Sequence, residues 1–127
     1  MPARILVVED NAANLELVRF LLSHHRYTVL LARDGPEGVA TALREKPDLI
    51  LCDLQMPGYD GYQVLRELCG KIDTVIVALT AFSMPNDRLN VLGAGFDGYM
   101  SKPIDPEKFV RDVEFYLPVD QRAQPLG

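Results

Sequence analysis

Strand-length apolar runs alternate along this chain with segments of helical spacing, and this alternation constrains the fold most strongly. The runs cover residues 5–8, 28–32, 49–52 and 75–79, with a shorter fifth run at 98–100. Unbroken apolar runs rich in β-branched residues are typical of strands buried on both faces. Such strands, alternating with helices, form a parallel sheet with right-handed crossovers and helices on both sides. The chain is therefore predicted to be a doubly wound α/β protein with five strands and five helices.

Capping and turn residues predict where the helices lie. The first helix covers residues 11–24, with Asn14, Val18, Leu21 and His25 on its apolar stripe. The other helix starts are placed by Asp34 or Gly35 with Pro36 near the first turn, by Asp60, by Ser83 or Asn86, and by Asp105, Pro106 and Glu107. We expect a single domain at residues 4–117 and a loose polar tail at 118–127.

Length, charge and cysteine content exclude several classes of protein. The 127 residues suit one domain, and a net charge of −5 with dispersed basic residues argues against a nucleic-acid-binding surface. Cys52 and Cys69 are too few for a disulfide framework or, alone, for a zinc site. The sequence has no signal-peptide pattern and no apolar stretch of the ~18 residues that a bilayer span needs. A cytoplasmic protein without a membrane partner is expected.

Acidic and polar residues follow the predicted strands at the ends where α/β folds bind ligands. Glu9 and Asp10 follow the first run, Asp53 the third, Thr80 the fourth and Lys102 the fifth. In the strand order 2-1-3-4-5, these ends converge on one rim of the sheet. Taken singly, each residue reads more simply as a helix cap, a loop hydroxyl or part of a solvated turn. Their joint occurrence at matching strand ends predicts a site.

The chemistry of these residues points to phosphoryl transfer. Three carboxylates in one site repel one another unless a cation lies among them. Hard oxygen ligands with room for waters and a phosphate suit Mg²⁺, or Mn²⁺. One Asp of this set can act as a nucleophile, with Thr80 and Lys102 to hold phosphoryl oxygens. The set therefore predicts transfer of a phosphoryl group to a carboxylate.

Four segments together resemble the response-regulator receiver domain of two-component signalling. They are residues 5–11 (ILVVEDN), 47–61 (PDLILCDLQMPGYDG), 78–81 (ALTA) and 98–103 (GYMSKP), and the resemblance covers residues 4–117. It is strongest to single-domain receivers of the cell-division and chemotaxis type. It implies a flavodoxin-like five-stranded sheet in the order 2-1-3-4-5. It also implies a protein that is not a conventional enzyme, although its site catalyses its own phosphorylation and dephosphorylation.

The resemblance implies a role for each matching acidic residue. Asp53 is the phosphoacceptor, which attacks the phosphorus of a phosphohistidine in line. Asp10 binds Mg²⁺ directly, Glu9 acts largely through a water, and the backbone carbonyl of Gln55 completes the metal ligands. Glu9 stands where the family often has Asp, and both residues occur there.

The resemblance also implies a switch. Thr80 and Lys102 hold the phosphoryl oxygens, and the bond from Lys102 to Pro103 is cis. Thr80 moves toward the phosphate and Tyr99 turns inward, which remodels the face built from the fourth helix, fifth strand and fifth helix. A simpler interpretation makes Tyr99 an aromatic residue covering the sheet edge. Gln55 and Phe82 flank the phosphate in this family, and we hypothesise that the apolar Phe82 slows the approach of water.

Partners are implied by the same resemblance. The phosphoryl donor is a histidine kinase or a histidine-phosphotransfer protein, which docks on the first helix and on the loop after the fifth strand. Leu15 and Leu22 on one side of the helical stripe and Phe20 on the other are expected to be partly exposed there, with Pro103 in the loop. The output is contact with a downstream protein, by a monomer or a weak homodimer.

Other classes of protein fit the sequence less well. A flavodoxin-like electron carrier needs a phosphate-binding loop after the first strand, where this chain has Glu9 and Asp10. A phosphatase of the haloacid-dehalogenase type needs a second Asp two residues after Asp53, where this chain has Gln55. A phosphorylation-independent interaction domain of the same fold stays open. So does a receiver from a hybrid histidine kinase or phosphorelay, although the Met1 start slightly favours a whole protein.

Overall fold

The computed structural model describes residues 2–81 and 87–122 and contains one five-stranded parallel sheet. Its strands are β1 (Arg4–Val8), β2 (Thr28–Ala32), β3 (Leu49–Asp53), β4 (Val75–Thr80) and β5 (Gly98–Ser101). Their order is β2-β1-β3-β4-β5, and every neighbouring pair is parallel. The predicted doubly wound fold and strand order are confirmed.

Helices follow the strands. They are α1 (Ala12–His24), α2 (Gly35–Glu45), α3 (Gly61–Leu68), α4 (Asp87–Ala94) and α5 (Phe109–Glu114), followed by a 3₁₀ turn at Val119–Gln121. The side chains of Asn11, Asp34 and Asp60 cap α1, α2 and α3 by accepting backbone N–H bonds. The predicted start of α4 at Ser83 or Asn86 lies outside the described residues.

Two apolar layers enclose the sheet, because strands buried on both faces need cover on both sides. One layer places α1 and α5 over β1, β3 and β4, with Val18, Leu22 and Val113 at its centre. The other places α2, α3 and α4 over the opposite face, around Ile50, Val64 and Leu68. Strand β3 is buried at every position, so its last residue, Asp53, is rigidly placed.

The apolar stripe of α1 differs from the prediction. The buried residues of this helix are Leu15, Val18 and Leu22, whereas Leu21 is only half-buried. Leu15 is 4% exposed and Leu22 is fully buried, so the expected partial exposure of both is wrong. The helix is rotated so that its leucines fill the layer beneath α5, and sequence spacing alone does not determine that phase.

The C-terminal segment also differs from the prediction. Helix α5 begins at Phe109, whereas Asp105 closes a preceding turn by accepting the N–H of Glu107 on its side chain. Gln121 accepts the N–H of Ala3 at 2.8 Å and donates from Nε2 to Asp48 Oδ1 at 3.2 Å. In the described part of the chain, Gln121 thus joins the C-terminal segment to the first strand region and to Asp48.

Both cysteines are free thiols, Cys52 buried and Cys69 exposed. Among residues 2–81 and 87–122, no helix is long and apolar enough to cross a membrane.

Candidate functional site

The sheet brings the predicted site residues to one rim. Val8, the last residue of β1, lies beside Cys52 of β3. The next residues along the chain are Glu9, just past β1, and Asp53, the last residue of β3. Asp53 in turn pairs with Leu79 of β4, next to Thr80. The Glu9 N–H donates to the carbonyl of Ala32 at 3.0 Å, which extends the β1–β2 pairing into the site. Parallel register thus places these side chains side by side.

Three carboxylates form a compact cluster at this rim. Glu9, Asp10 and Asp53 each contribute one oxygen, and these oxygens all lie within 4.8 Å of one another. Glu9 is 1% exposed and Asp53 is 3% exposed, whereas Asp10 lies on the solvent side. The cluster therefore has a buried floor of two acids and an open side.

Lys102 neutralises part of this charge. Its Nζ lies 3.0 Å and 3.2 Å from the two oxygens of Glu9 and 3.2 Å from Asp53 Oδ1. Burial alone lowers the pKa of Lys102, but the hydrogen bond to Glu9 and the charge of Asp53 outweigh it and raise the pKa. The ammonium group is therefore a fixed positive charge between the two buried acids.

Glu9 has an unusual protonation equilibrium. Burial, together with the hydrogen bond and negative charge of Asp53, raises the pKa of Glu9 to about 7, although Asn14 and Lys102 oppose the rise. Asn14 Nδ2 donates to Glu9 Oε1 at 2.9 Å. Sequence reasoning placed Asn14 on the apolar stripe of α1 and missed this contact. The sequence signal for this contact was a polar residue in the first turn of α1, five positions after Glu9.

Asp53 is oriented from its own loop. The backbone N–H of Gln55 donates to Asp53 Oδ1 at 3.1 Å, the oxygen that also faces Lys102. A side chain at Gly61 would place its Cβ 2.6 Å from the Asp53 carbonyl oxygen, so the start of α3 lies directly against the backbone of Asp53. These contacts fix the direction in which the carboxylate points.

Thr80 and Lys102 are joined through the backbone. The Lys102 N–H donates to the Thr80 carbonyl at 2.9 Å, and the Lys102–Pro103 peptide bond is cis, as the sequence resemblance implies. Thr80 is buried at the end of β4 and lines a cleft of about 300 Å³ with Gln55 and Tyr62 among its walls. The structure thus brings Thr80 to the same rim as the acids.

Tyr99 lies half-buried on β5 with contacts to α4 and to the segment that follows α5. The guanidinium of Arg88 in α4 lies over its ring at 5.3 Å, and the hydroxyl of Tyr116, which follows α5, donates to its carbonyl at 3.3 Å. Sequence reasoning singled out Tyr99 but not Arg88 or Tyr116. Phe82, the predicted tuning residue, lies outside the described residues.

The predicted docking residues have different environments. Leu15 belongs to the core, so the expected exposed patch on α1 does not include it. Phe20 is 57% exposed and stacks on the ring of His24 at 5.9 Å. Pro103 is exposed beside Lys102. Phe20 and Pro103 thus remain candidates for partner contact.

Comparison with known proteins identifies the family. The model of the response regulator receiver domain matches residues 5–114. The chain therefore belongs to the response regulator receiver domain family.

Individual relatives agree with this assignment. The chain is 43% identical to the response regulator PleD of Caulobacter vibrioides over 98% of its own length, but it spans only 29% of PleD. It is 34% identical to the polar-differentiation response regulator DivK of Brucella anthropi, covering 92% of this chain and 98% of DivK.

A solved structure is similar in fold and sequence. It is the receiver domain of the sensor histidine kinase PA1611 from Pseudomonas aeruginosa, with a magnesium ion coordinated in its active site cleft. The TM-score is 0.81 at 34% identity, with 91% of this chain and 98% of that chain covered.

The donor set of this chain fits a hard divalent cation. Its ligands are carboxylate oxygens, and the exposed side of Asp10 leaves room for the waters that Mg²⁺ retains. The buried pair of acids gains most from such an ion, because burial, together with the neighbouring charge of Asp53, raises the pKa of Glu9. The residues present thus match the metal that the family implies.

Proposed function

We propose that this protein is a phosphoryl-accepting response regulator that receives its phosphoryl group on Asp53. The observation that carries this proposal is the placement of the Asp53 carboxylate. One of its oxygens lies within 4.8 Å of an oxygen of Glu9 and of Asp10, and its Oδ1 lies 3.2 Å from Lys102 Nζ. A nucleophile, a metal-binding pair and a fixed cation are the parts that phosphoryl transfer to a carboxylate requires.

The residues divide the reaction between them. Asp53 Oδ1 is held by the Gln55 N–H and Lys102, so Oδ2 is the oxygen that attacks. A new bond forms between Oδ2 and phosphorus, the bond from phosphorus to the donor's imidazole nitrogen breaks, and the imidazole takes up a proton. Lys102 then holds a phosphoryl oxygen, and the buried hydroxyl of Thr80 donates to another.

Glu9, Asp10, Asp53 and the Gln55 carbonyl are the groups that would hold Mg²⁺. When bound, the ion supplies positive charge that offsets the acids and the incoming phosphoryl oxygens. The site catalyses the phosphorylation and dephosphorylation of its own Asp53 side chain and does not turn over a separate substrate as a conventional enzyme does.

The output surface is the face formed by α4, β5 and α5. Phosphorylation adds about 1.5–2 negative charges at the rim. Thr80 moves toward this charge and Tyr99 follows, which breaks the Arg88 contact over its ring and reshapes the face for a downstream protein. The similarity to PleD and DivK, both named as response regulators, supports this proposal. The similarity to a receiver within a sensor histidine kinase supports a phosphorelay as a second setting.

Phosphotransfer from a protein donor tests the proposal. A histidine kinase or histidine-phosphotransfer protein, carrying radiolabelled phosphohistidine, is mixed with the wild-type protein or with Asp53→Asn. Label is expected to move to the wild type in the presence of Mg²⁺, and neither to Asp53→Asn nor to the wild type in EDTA. Equal labelling of Asp53→Asn would refute Asp53 as the acceptor.

A further inference from the structure

The loop between β3 and α3, residues 54–60, contains an aromatic side chain that packs into a gap in a neighbouring helix. Tyr59 lies half-buried against Gly35, the first residue of α2. A Cβ built on Gly35 would lie 1.9 Å from Tyr59 Cδ1 and 2.7 Å from two further ring carbons. Non-bonded carbon atoms in proteins do not approach one another so closely. The Tyr59 ring therefore occupies the space that any side chain at position 35 would need.

This contact joins two segments of the metal-binding rim. Gly35 follows β2 by three residues, and the carbonyl of Ala32 at the end of β2 accepts the N–H of Glu9 at 3.0 Å. Tyr59 follows Gln55 by four residues in a short loop. The ring thus links the loop that contains Gln55 to the chain segment that supports Glu9.

Burial differs along the rest of the loop. Its first half is anchored because Met56 is 6% exposed, within the apolar layer that α3 covers. Pro57 and Gly58 are exposed, and a Cβ on Gly58 would meet nothing within 4 Å. Asp60 then begins α3 with a reciprocal cap to Gln63. Tyr59 therefore secures the loop between its exposed turn and the helix.

We propose that Tyr59 is a positioning residue for the metal site. Its ring, seated on Gly35, holds the loop of residues 54–60 so that the Gln55 carbonyl stays aligned with the carboxylates of Glu9, Asp10 and Asp53. Groups that orient metal ligands affect affinity strongly although they do not touch the ion. This inference rests on the proposed function, because it concerns the metal site on which that function depends.

Magnesium titration of matched variants tests the inference. The Kd for Mg²⁺ is measured by amide chemical shifts in the wild type, Tyr59→Phe, Tyr59→Ala and Phe115→Ala. Phe115, just past the end of α5, is 76% exposed and controls for the loss of an aromatic ring elsewhere. Tyr59→Ala is expected to weaken Mg²⁺ binding about tenfold, whereas Tyr59→Phe and Phe115→Ala stay close to the wild type.

Amide hydrogen exchange without metal gives an independent readout. The amides of Gln55, Met56 and Gly58 are expected to exchange faster in Tyr59→Ala than in the wild type, and Tyr59→Phe is expected to restore slow exchange. A merely stabilising role would instead change exchange across the whole sheet.

A double mutant separates the contact from general damage. Gly35→Ala displaces the ring and is expected to weaken Mg²⁺ binding as much as Tyr59→Ala does, while the double mutant is no weaker than either single variant. If Gly35→Ala does not fold, the comparison of Tyr59→Ala with Tyr59→Phe still decides. Wild-type binding with an unchanged Kd in Tyr59→Ala overturns the positioning role alone. A wild type that binds no Mg²⁺ overturns the proposed function and the positioning role with it.

Discussion

The carboxyl group of Glu9 shows how strongly a single residue depends on its neighbours at this rim. Its pKa is about 7 in the folded protein against an ordinary value of 4.5. The folded state therefore keeps a proton that the unfolded state releases as pH rises from 4.5 toward 7. Stability contributed by this proton is present at low pH and is lost through that window.

The first prediction concerns the pH dependence of the metal-free protein. In EDTA, the free energy of unfolding of the wild type should fall by about 1–3 kcal/mol more than that of Glu9→Gln between about pH 5 and about pH 8. Urea denaturation at several pH values measures this difference. Glu16→Gln, which alters an exposed acid on α1, serves as the control and should follow the wild type. Parallel profiles for the wild type and Glu9→Gln would contradict the raised pKa.

A second prediction separates the two roles of Lys102. Lys102→Ala removes a positive charge that lies 3.0 Å from Glu9 and 3.2 Å from Asp53. Since this charge competes with a cation for the same oxygens, the variant should bind Mg²⁺ about two- to tenfold more tightly. It should nevertheless accept phosphoryl groups more slowly, because a phosphoryl oxygen loses its cation. Weaker Mg²⁺ binding by the variant would show that Lys102 organises the metal site and does not compete with it.

The meeting of the residues at the strand ends in one site could be predicted, because parallel strands end at one rim of the sheet. The acids and Lys102 were found this way. Two contacts could not be predicted: the hydrogen bond from Asn14 to Glu9 and the packing of Tyr59 on Gly35. Both depend on how α1 and α2 are oriented on the sheet. Local sequence does not specify those orientations.

At the scale of elements, Tyr116, two residues after the end of α5, packs closely against β5. A Cβ on Gly98 would lie 2.3 Å from Tyr116 Cε1 and 2.4 Å from its hydroxyl oxygen. The third prediction is that Gly98→Ala lowers the free energy of unfolding by about 1–3 kcal/mol, because it displaces Tyr116 and loosens α5. Gly93→Ala in α4, where nothing lies within 4 Å, is the matched control. It should be neutral or raise stability by up to about 1 kcal/mol. Equal effects in urea denaturation would contradict a specific contact.

Element types could be predicted more reliably than their details. The cap at Asp60 marked the start of α3 because a side-chain cap is a local interaction, and in the structure Asn11 and Asp34 also cap α1 and α2. The start of α5 was predicted too early, since Asp105 caps a turn that precedes the helix. The rotation of α1, which buries Leu15, depends on the packing of α5 and lies beyond local patterning.

At the scale of the whole molecule, metal binding and folding are linked. The cluster of Glu9, Asp10 and Asp53 exists only in the fold, since β1 and β3 must pair to form it. The fourth prediction is that Mg²⁺ at about 100 times its Kd stabilises the protein by about 2.7 kcal/mol, and that EDTA removes the effect. Thermal unfolding measures the shift in Tm. Asp10→Asn should lose most of it, whereas a full shift in that variant would exclude Asp10 as a ligand.

The layer arrangement could be predicted because alternation of strands and helices leaves few topologies, and the strand order could be predicted from the family resemblance. The hydrogen bonds of Gln121 with Ala3 and Asp48 could not be predicted, since they join residues far apart in sequence.

Phosphorylation of Asp53 is the central claim, and intact-mass spectrometry with a small phosphoryl donor such as phosphoramidate tests it most directly. With Mg²⁺, the wild type should gain the mass of one phosphoryl group, mapped to Asp53 and absent in EDTA and in Asp53→Asn. A wild type that gains no mass, or a gain that persists in Asp53→Asn, would contradict the account.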